Sequence, residues 1–435
     1  MTTLHTKCRI CGNTNLVEVL NLGNQVLSCV FPSESERDPS NSPLVLAKCQ
    51  SDGSTDVCGL VQLKHTAELS KMYGATYGYH SSLSPTMVKH LESKVNQLVS
   101  LAKPKQNDLI LDIGCNDGTL LNAYSKYGKF RRFGIDPSSE KFKQYFQADV
   151  DVTFDFFSGK IARAVFGDAK CKIVTSIAMF YDLDDPRSFV NDVASCLHDE
   201  GIWALELSYL PMLLNQLTYD QICHEHVTYY GLRELQYLFA EAGLKVIDLS
   251  FNDMNGGSLY VLVAHQGSAY SINQDAIDGA LIQERNLNSL EPYKRYARRI
   301  GQHKDDVRQF FEHCKVNGKR VFGYGASTKG NIVLNYCEIT REMLPAIGDL
   351  NTEKHGRFTP GTRIPILSHE KIKEFKPDFL FVLVWHFRTE VIRSEMHYLE
   401  SGGKLVFHLP RFHVVTKENY RLYVDQTFED LAFSI

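Results

Sequence analysis

The chain has 435 residues, 43% hydrophobic and 23% charged, with a formal net charge of -4. That length exceeds one ordinary domain, so two or three are expected. Lys and Arg form no long basic run, which argues against nucleic acid or an anionic membrane as a partner. The longest apolar run, "FLFVLVW", has the length of a buried strand and not of a bilayer span. "MTTLHTKCRICG" carries no hydrophobic signal core, so a cytoplasmic location is expected. Eleven cysteines in a reducing compartment are read first as metal chemistry.

Residues 1–70 lack helix periodicity, carry turn residues such as "NLGNQ", and hold five of those cysteines. "CRICG" places Cys8 and Cys11 in a C-x-x-C knuckle, and "KCQSDGSTDVCGL" supplies Cys49 and Cys58. Two thiolates on such a turn wrap one tetrahedral ion. Four thiolates complete its coordination, so a structural zinc is expected, with Cys29 left for packing. A segment this short with few large apolar residues needs that metal to stabilise itself.

Residues 71–268 alternate strands and helices. "PTMVKHLESKVNQLVSLA" reads as an amphipathic helix, and "DLILDIGCNDGTLL" as strand, glycine turn and helix. "RRFGIDPSS", "VDVTFDFFS", "CKIVTSIAMF" and "IWALEL" continue the pattern. A doubly wound parallel sheet follows, with ligands at the carboxyl ends of its strands. Residues 269–317 predict a helical connector with an apolar stripe. Residues 318–435 predict a second, Rossmann-like α/β unit, opened by "KRVFGYGASTKGN".

The turn "DIGCNDG" discriminates between cofactors. A dinucleotide fingerprint needs G-x-G-x-x-G; here Gly114 and Gly118 enclose Asn116 and Asp117. Asp112 and Asp117 would repel a pyrophosphate but suit an amine and a sulfonium, which points to S-adenosylmethionine. Gly114 and Gly118 would let the methionine portion lie against the backbone. Asp136, at the tip of the next strand, is placed to accept hydrogen bonds from the ribose hydroxyls. Phe156 in "FDFFS" would cover the adenine.

The motifs "CRICG" with "CGLVQL", "YGYHSSLSPTM", "IGCNDGTLL", "HEHVTYY", "NGGSLY", "GYGASTKGN" and "HGRFTPGTRIPI" stand in one order along nearly the whole chain. In this the chain resembles the C-methyltransferases of nucleotide-linked 4-keto-6-deoxyhexoses. The resemblance implies a zinc-binding domain, a class I methyltransferase sheet and a C-terminal Rossmann-like domain. It implies His226 as the catalytic base with Glu225 beside it, and Tyr79 near the sugar. Two positions depart from the family pattern: Cys223 stands where a tyrosine usually precedes "HEH", and Phe180 and Tyr181 stand where a histidine often follows the fourth strand.

On that reading an imidazole removes the C3 hydrogen beside the ketone, and Tyr79, His224 or a backbone amide meets the enolate oxygen. A metal at "HEH" is disfavoured because histidines two apart lack the H-E-x-x-H face; satisfied structural histidines are the plainer alternative. Cys223 is read as pocket wall, and Tyr229 and Tyr230 as packing. Gly256, Gly257 and Ser258 are assigned to the substrate side, a β-bulge being the alternative. Gly325, Ser327 and Lys329 at a helix N-terminus would seat the substrate's diphosphate. Asp349, Lys354, His355 and Arg357 either close over the nucleotide or form a solvated loop. The expected substrate is a GDP- or dTDP-linked keto sugar; O- or N-methylation of a nucleotide sugar or small metabolite is the competing reading.

Overall fold

The computed structural model describes residues 2–51, 53, 57–68, 80–424 and 426. Its centre is a seven-stranded sheet in the order Leu244–Asn252, Ser258–His265, Leu197–Ser208, Cys171–Ile177, Leu109–Ile113, Arg131–Ile135, Val150–Thr153. Neighbours run parallel except Ser258–His265, which is antiparallel to both strands beside it. The expected all-parallel sheet is thus corrected at one edge. That strand follows the turn 254–257 directly, too short a link for the crossover a parallel pair requires.

Every residue of Leu109–Ile113 is buried, as a central strand covered on both faces demands. The helix Pro85–Ala102 lies where its periodicity places it. Ser84 caps it by accepting from the Met87 amide at 3.3 Å, Pro85 occupies its first turn, and Met87, Leu91, Val95, Leu98 and Ala102 form its buried stripe. The helix Pro186–Cys196 runs straight into the strand Leu197–Ser208, which joins its neighbour through an irregular register.

The N-terminal part folds as an antiparallel sheet of Leu16–Val26, Asn41–Cys49 and Val61–Leu63. Its fourth strand comes from far along the chain: Thr228–Tyr229, directly after "HEH", pairs with Gln62 and Val61. The third sheet runs Ile366–Ser368, Ile347–Asp349, Val321–Tyr324, Phe379–Val382, Lys404–Phe407, His413–Val415, parallel save for the last strand. The helix Glu291–Val316 buries Tyr293, Tyr296, Ile300, Val307, Phe311 and Cys314, the stripe its spacing predicts. Among the described residues no helix is long and apolar enough to cross a membrane.

Two buried acids tie the connector to the central unit. Glu284 accepts from Tyr209 Oη at 2.8 Å and from the Leu232 amide at 2.5 Å. Glu234 closes a capping box on the Gly231 amide at 2.8 Å. Burial, then the charge of Glu284, pushes the Glu234 carboxyl from its ordinary 4.5 up to about 7. The folded state therefore holds this proton more tightly than the unfolded chain does. Stability from this group is fullest below the unfolded pKa and is lost as pH rises through the folded one. Glu234→Gln keeps the cap acceptor without the titration. Its melting temperature, followed by scanning calorimetry from pH 5 to 7.5, is expected to fall less with pH than that of the wild type.

Candidate active site

The carboxyl ends of the central strands surround a cavity lined by Asp112, Gly114, Asn116, Asp117, Asp136 and Phe156 among others. Asp136 Oδ2 accepts from the Asn116 amide at 2.8 Å and Oδ1 from Ser138 at 2.6 Å. Each oxygen keeps a further lone pair for a ribose hydroxyl. Asp112 is buried and accepts from Thr175 Oγ1 at 2.6 Å. Burial, with Asp136 adding its charge, pushes the Asp112 carboxyl up to about 7. Two such carboxylates, in a cleft that Asp117, Asp182, Asp184 and Glu206 also line, suit a ligand that carries positive charge and vicinal hydroxyls, which S-adenosylmethionine does. Phe156, half exposed, stands at the rim.

Other members of the turn are occupied by the fold. Asp117 accepts from Ser82 N at 2.8 Å and Thr119 Oγ1 at 2.6 Å, and faces His80 Nε2 at 3.0 Å. It thus clamps the segment 80–82 over the cavity that it also lines. Asn116, at φ +48°, accepts from Ser81 N at 3.0 Å. Gly114 and Gly118 both have positive φ, but a Cβ would strike Met179 at 3.0 Å from Gly114 and Phe146 at 2.5 Å from Gly118. Gly118 does not line the cavity. Packing, besides ligand approach, demands both glycines.

His226 does not itself line this cavity but stands behind its wall, against Tyr181, whose neighbours Asp182 and Leu183 do. Its ring lies 4.3 Å from that of Tyr181, and the Val227 amide donates to Tyr181 O at 2.9 Å. Nδ1 bonds Gln221 O at 2.8 Å. A carbonyl can only accept, so Nδ1 carries the proton and Nε2 presents its lone pair. Burial, then the Lys329 charge, holds the imidazole down at about 3, so it is neutral at physiological pH. The other members of the motif face elsewhere. His224 is buried against Ser42 O at 3.0 Å, and burial lowers its pKa to about 4. Glu225 is buried with the Cys29 and Cys223 thiols as partners, and burial raises its pKa. Cys29, expected to pack, packs with Leu27 and also meets that carboxyl. Cys223 is buried wall. Tyr230 packs on Phe180, while Tyr229 Oη reaches Gln221 O at 3.4 Å. Tyr79 lies outside the described residues.

The C-terminal unit completes the cleft. A Cβ on Gly256 would stand 2.7 Å from the Trp385 ring, and one on Gly257 2.9 Å from Met212. The close approach assigned to a ligand is thus made by protein. Ser258 Oγ donates to Met254 O at 2.9 Å. Ser327 Oγ caps its own helix through Gly330 N at 2.9 Å, and Gly325, at φ +81°, leaves space for Val384. Lys329 Nζ crosses to Asn255 O at 3.1 Å. Asp349 accepts from the Ala326 amide at 2.7 Å and Lys354 Nζ donates to Ala326 O at 2.8 Å, so this loop is wired to the glycine turn. His355 bonds Asp349 O at 2.9 Å, and Arg357 donates to Phe31 O at 3.0 Å.

The four expected cysteines converge. The sulfurs of Cys8, Cys11, Cys49 and Cys58 all lie within 4.8 Å of one another, with Cys8 and Cys58 3.4 Å apart and Cys11 and Cys49 3.5 Å apart. Zn–S bonds of about 2.3 Å set tetrahedral sulfurs roughly 3.8 Å apart, so the donor set fits zinc. Asn13 Nδ2 donates to Cys49 Sγ at 3.3 Å, and Lys48 Nζ to Gly59 O at 3.2 Å, placing a cation beside the thiolates.

Three family models match the chain in succession: a putative zinc binding domain at residues 8–73, a methyltransferase domain at 87–249, and a C-methyltransferase C-terminal domain at 253–410. The chain is a SAM-dependent methyltransferase, and its three parts are similar, in this order, to those of C-methyltransferases. This methyltransferase is 27% identical over 418 residues to the C-methyltransferase NovU of Streptomyces niveus, covering 95% of this chain and 97% of that one. Among solved structures it is similar to magnesium protoporphyrin IX methyltransferase of Synechocystis PCC 6803 with bound SAM, at 12% identity and TM-score 0.31, over 41% of this chain and 79% of that one. A SAM-dependent methyltransferase of Clostridium acetobutylicum ATCC 824 matches at 11% identity and TM-score 0.32, over 41% and 92%.

Several residues of the methyltransferase site carry no motif. Glu206 lines the cavity at a strand end, accepting from His90 Nε2 at 2.8 Å and Asn252 Nδ2 at 2.9 Å, with Lys94 Nζ 3.7 Å away. An acid inside an apolar strand, "ALELS", was the available signal. Its partners lie too far along the chain to be paired by spacing. Asn255 acts through its carbonyl, which no side-chain pattern reports.

Two outcomes are expected. Asp136→Ala should weaken S-adenosylmethionine binding at least about 10-fold by calorimetry, since each lost hydrogen bond to a charged acceptor is worth roughly 1.5–3 kcal/mol. Cys49→Ser, or chelation, should release zinc to a chromogenic chelator and lower the melting temperature, with methyl transfer falling as the N-terminal sheet loosens.

Proposed function

We propose that this enzyme methylates C3 of a nucleoside-diphosphate 4-keto-6-deoxyhexose, making a branched sugar. The observation that carries the reading is His226: a neutral imidazole locked in one tautomer, its basic nitrogen free among the described residues, beside a cofactor cavity. O- or N-methylation needs no base acting on carbon, since oxygen and nitrogen already carry nucleophilic lone pairs, whereas a carbon next to a ketone becomes nucleophilic only on losing its proton. Similarity to a C-methyltransferase over nearly the full length supports the same chemistry.

S-Adenosylmethionine supplies an electrophilic methyl group when bound. Asp112 and Asp136 hold and orient it, with Phe156 over the cleft mouth. His226 Nε2 takes the C3 proton, and Gln221 O holds the resulting imidazolium through Nδ1. Ser327, at the N-cap of the helix Thr328–Tyr336, offers its amide to the diphosphate, Gly325, whose own amide is given to Gly348 O at 2.7 Å, shapes the turn before it, and Lys354 adds charge beside them. Glu225 and His224 brace the base segment against the N-terminal sheet, and Cys223 walls it. Binding both reactants converts the transfer into an effectively intramolecular step.

The test uses GDP- and dTDP-linked 4-keto-6-deoxyhexoses in deuterated water, with and without methyl donor. Wild type should exchange the C3 hydrogen and install a methyl there. His226→Gln should slow both by roughly 10²–10⁴-fold while calorimetric S-adenosylmethionine binding persists. Methyl on oxygen or nitrogen, or full activity without His226, sinks the reading.

A further inference from the structure

The helix Thr328–Tyr336 belongs to the C-terminal sheet, yet its second residue reaches into the methyltransferase unit. Lys329 Nζ donates to Asn255 O at 3.1 Å. The same carbonyl accepts from Gln221 Nε2 at 2.8 Å, and Gln221 O fixes His226 Nδ1 at 2.8 Å. Asn255 also lines the cofactor cavity. One carbonyl therefore gathers the lysine, the anchor of the base and the cofactor wall.

The ammonium is under-satisfied. Its bond to Asn255 is its one hydrogen bond among the described residues, none of whose carboxylates lies within 4.0 Å of Nζ. An ammonium has three donors. Around it, Asp220 Oδ2 is taken by Trp385 Nε1 at 2.8 Å, while Asp220 Oδ1 and His386 Nδ1 are buried without partners. Asp220, Gln221 and Cys223 are buried, whereas Lys329 and His226 are each only partly buried. Spare donors beside an accessible base, in a poorly solvated recess, call for an anion.

We propose that Lys329 is a catalytic residue whose ammonium receives the C4 oxygen of the keto sugar as it becomes an enolate. The inference rests on the C3-methylation reading above. His226 Nε2 takes the C3 proton, the C3–H electron pair forms the C3–C4 double bond, and the carbonyl pair moves to the oxygen facing Lys329. C3 then bonds the methyl carbon, the ketone re-forms, and the methyl–sulfur electron pair leaves with the thioether. One methyl is gained and one proton released, through His226. Charge explains the placement: protonating His226 sets a second cation near Lys329, and the enolate formed in the same step offsets that added charge and attracts both cations. The lysine thus serves the reacting centre in place of the diphosphate.

The experiment compares wild type with Lys329→Gln, Lys329→Met and Lys329→Arg. Glutamine keeps a donor for Asn255 O, and binding of S-adenosylmethionine by calorimetry checks that each variant is folded. The readouts are C3 deuterium exchange without methyl donor, kcat and KM for the keto sugar, and affinity for the corresponding 4-hydroxy nucleotide sugar, which cannot enolise. Expected are losses of roughly 10²–10³-fold in exchange and kcat for Gln and Met, partial retention by Arg, and 4-hydroxy sugar affinity within about 3-fold. Raised KM and weakened 4-hydroxy sugar binding with kcat intact would return Lys329 to the diphosphate and overturn the proposal. Undiminished exchange in the glutamine variant overturns it equally. If wild type enolises none of the keto sugars, the C3 reading itself fails and takes this inference with it.

Discussion

A two-residue strand holds this site together. Thr228–Tyr229 pairs with Val61 and Gln62 of the N-terminal sheet, and the segment just before it contains the base. On its other side the Val227 amide bonds Tyr181 O at 2.9 Å, in the 3-10 turn Phe180–Asp182 that follows the central strand Cys171–Ile177. His226 is thus stretched between a zinc-organised sheet and the cofactor sheet, and its tautomer is set by a carbonyl five residues back. Two backbone ladders are a stiffer mount than a surface loop, which is what proton abstraction from carbon requires.

This explains why a non-catalytic metal belongs in the molecule. Four cysteines separated by up to 50 residues meet at one corner of the N-terminal sheet, where Cys49 ends one strand and Cys58 precedes the next. His224 on Ser42 and Glu225 on Cys29 dock the base segment onto the same sheet. Buried groups of that kind tolerate little displacement, because each shift leaves a polar atom without a partner.

Much of the architecture was legible in the chain. Strand and helix periodicity, the Ser84–Pro85 start and the C-x-x-C knuckle each depend on residues close together, where spacing speaks directly. The cofactor acids were legible for the same reason, although Asp117 proved to clamp the segment 80–82. What stayed hidden needed long-range geometry. His90 meets Glu206 from 116 positions away. Lys329 announces a helix start but not which unit its side chain will cross to. Paired glycines read alike whether they admit a ligand, an indole as at Gly256, or a phenyl ring as at Gly118.

The contact between Gly256 and Trp385 carries an engineering consequence. With the indole 2.7 Å from where any Cβ would stand, and its N–H tied to Asp220, the two sheets interlock at a point outside the linker that joins them. Chimeras that exchange whole C-terminal modules between such enzymes must carry residues 253–258 and 384–388 as a matched pair. Cutting at the connector alone would bring together halves whose contours were never shaped for each other.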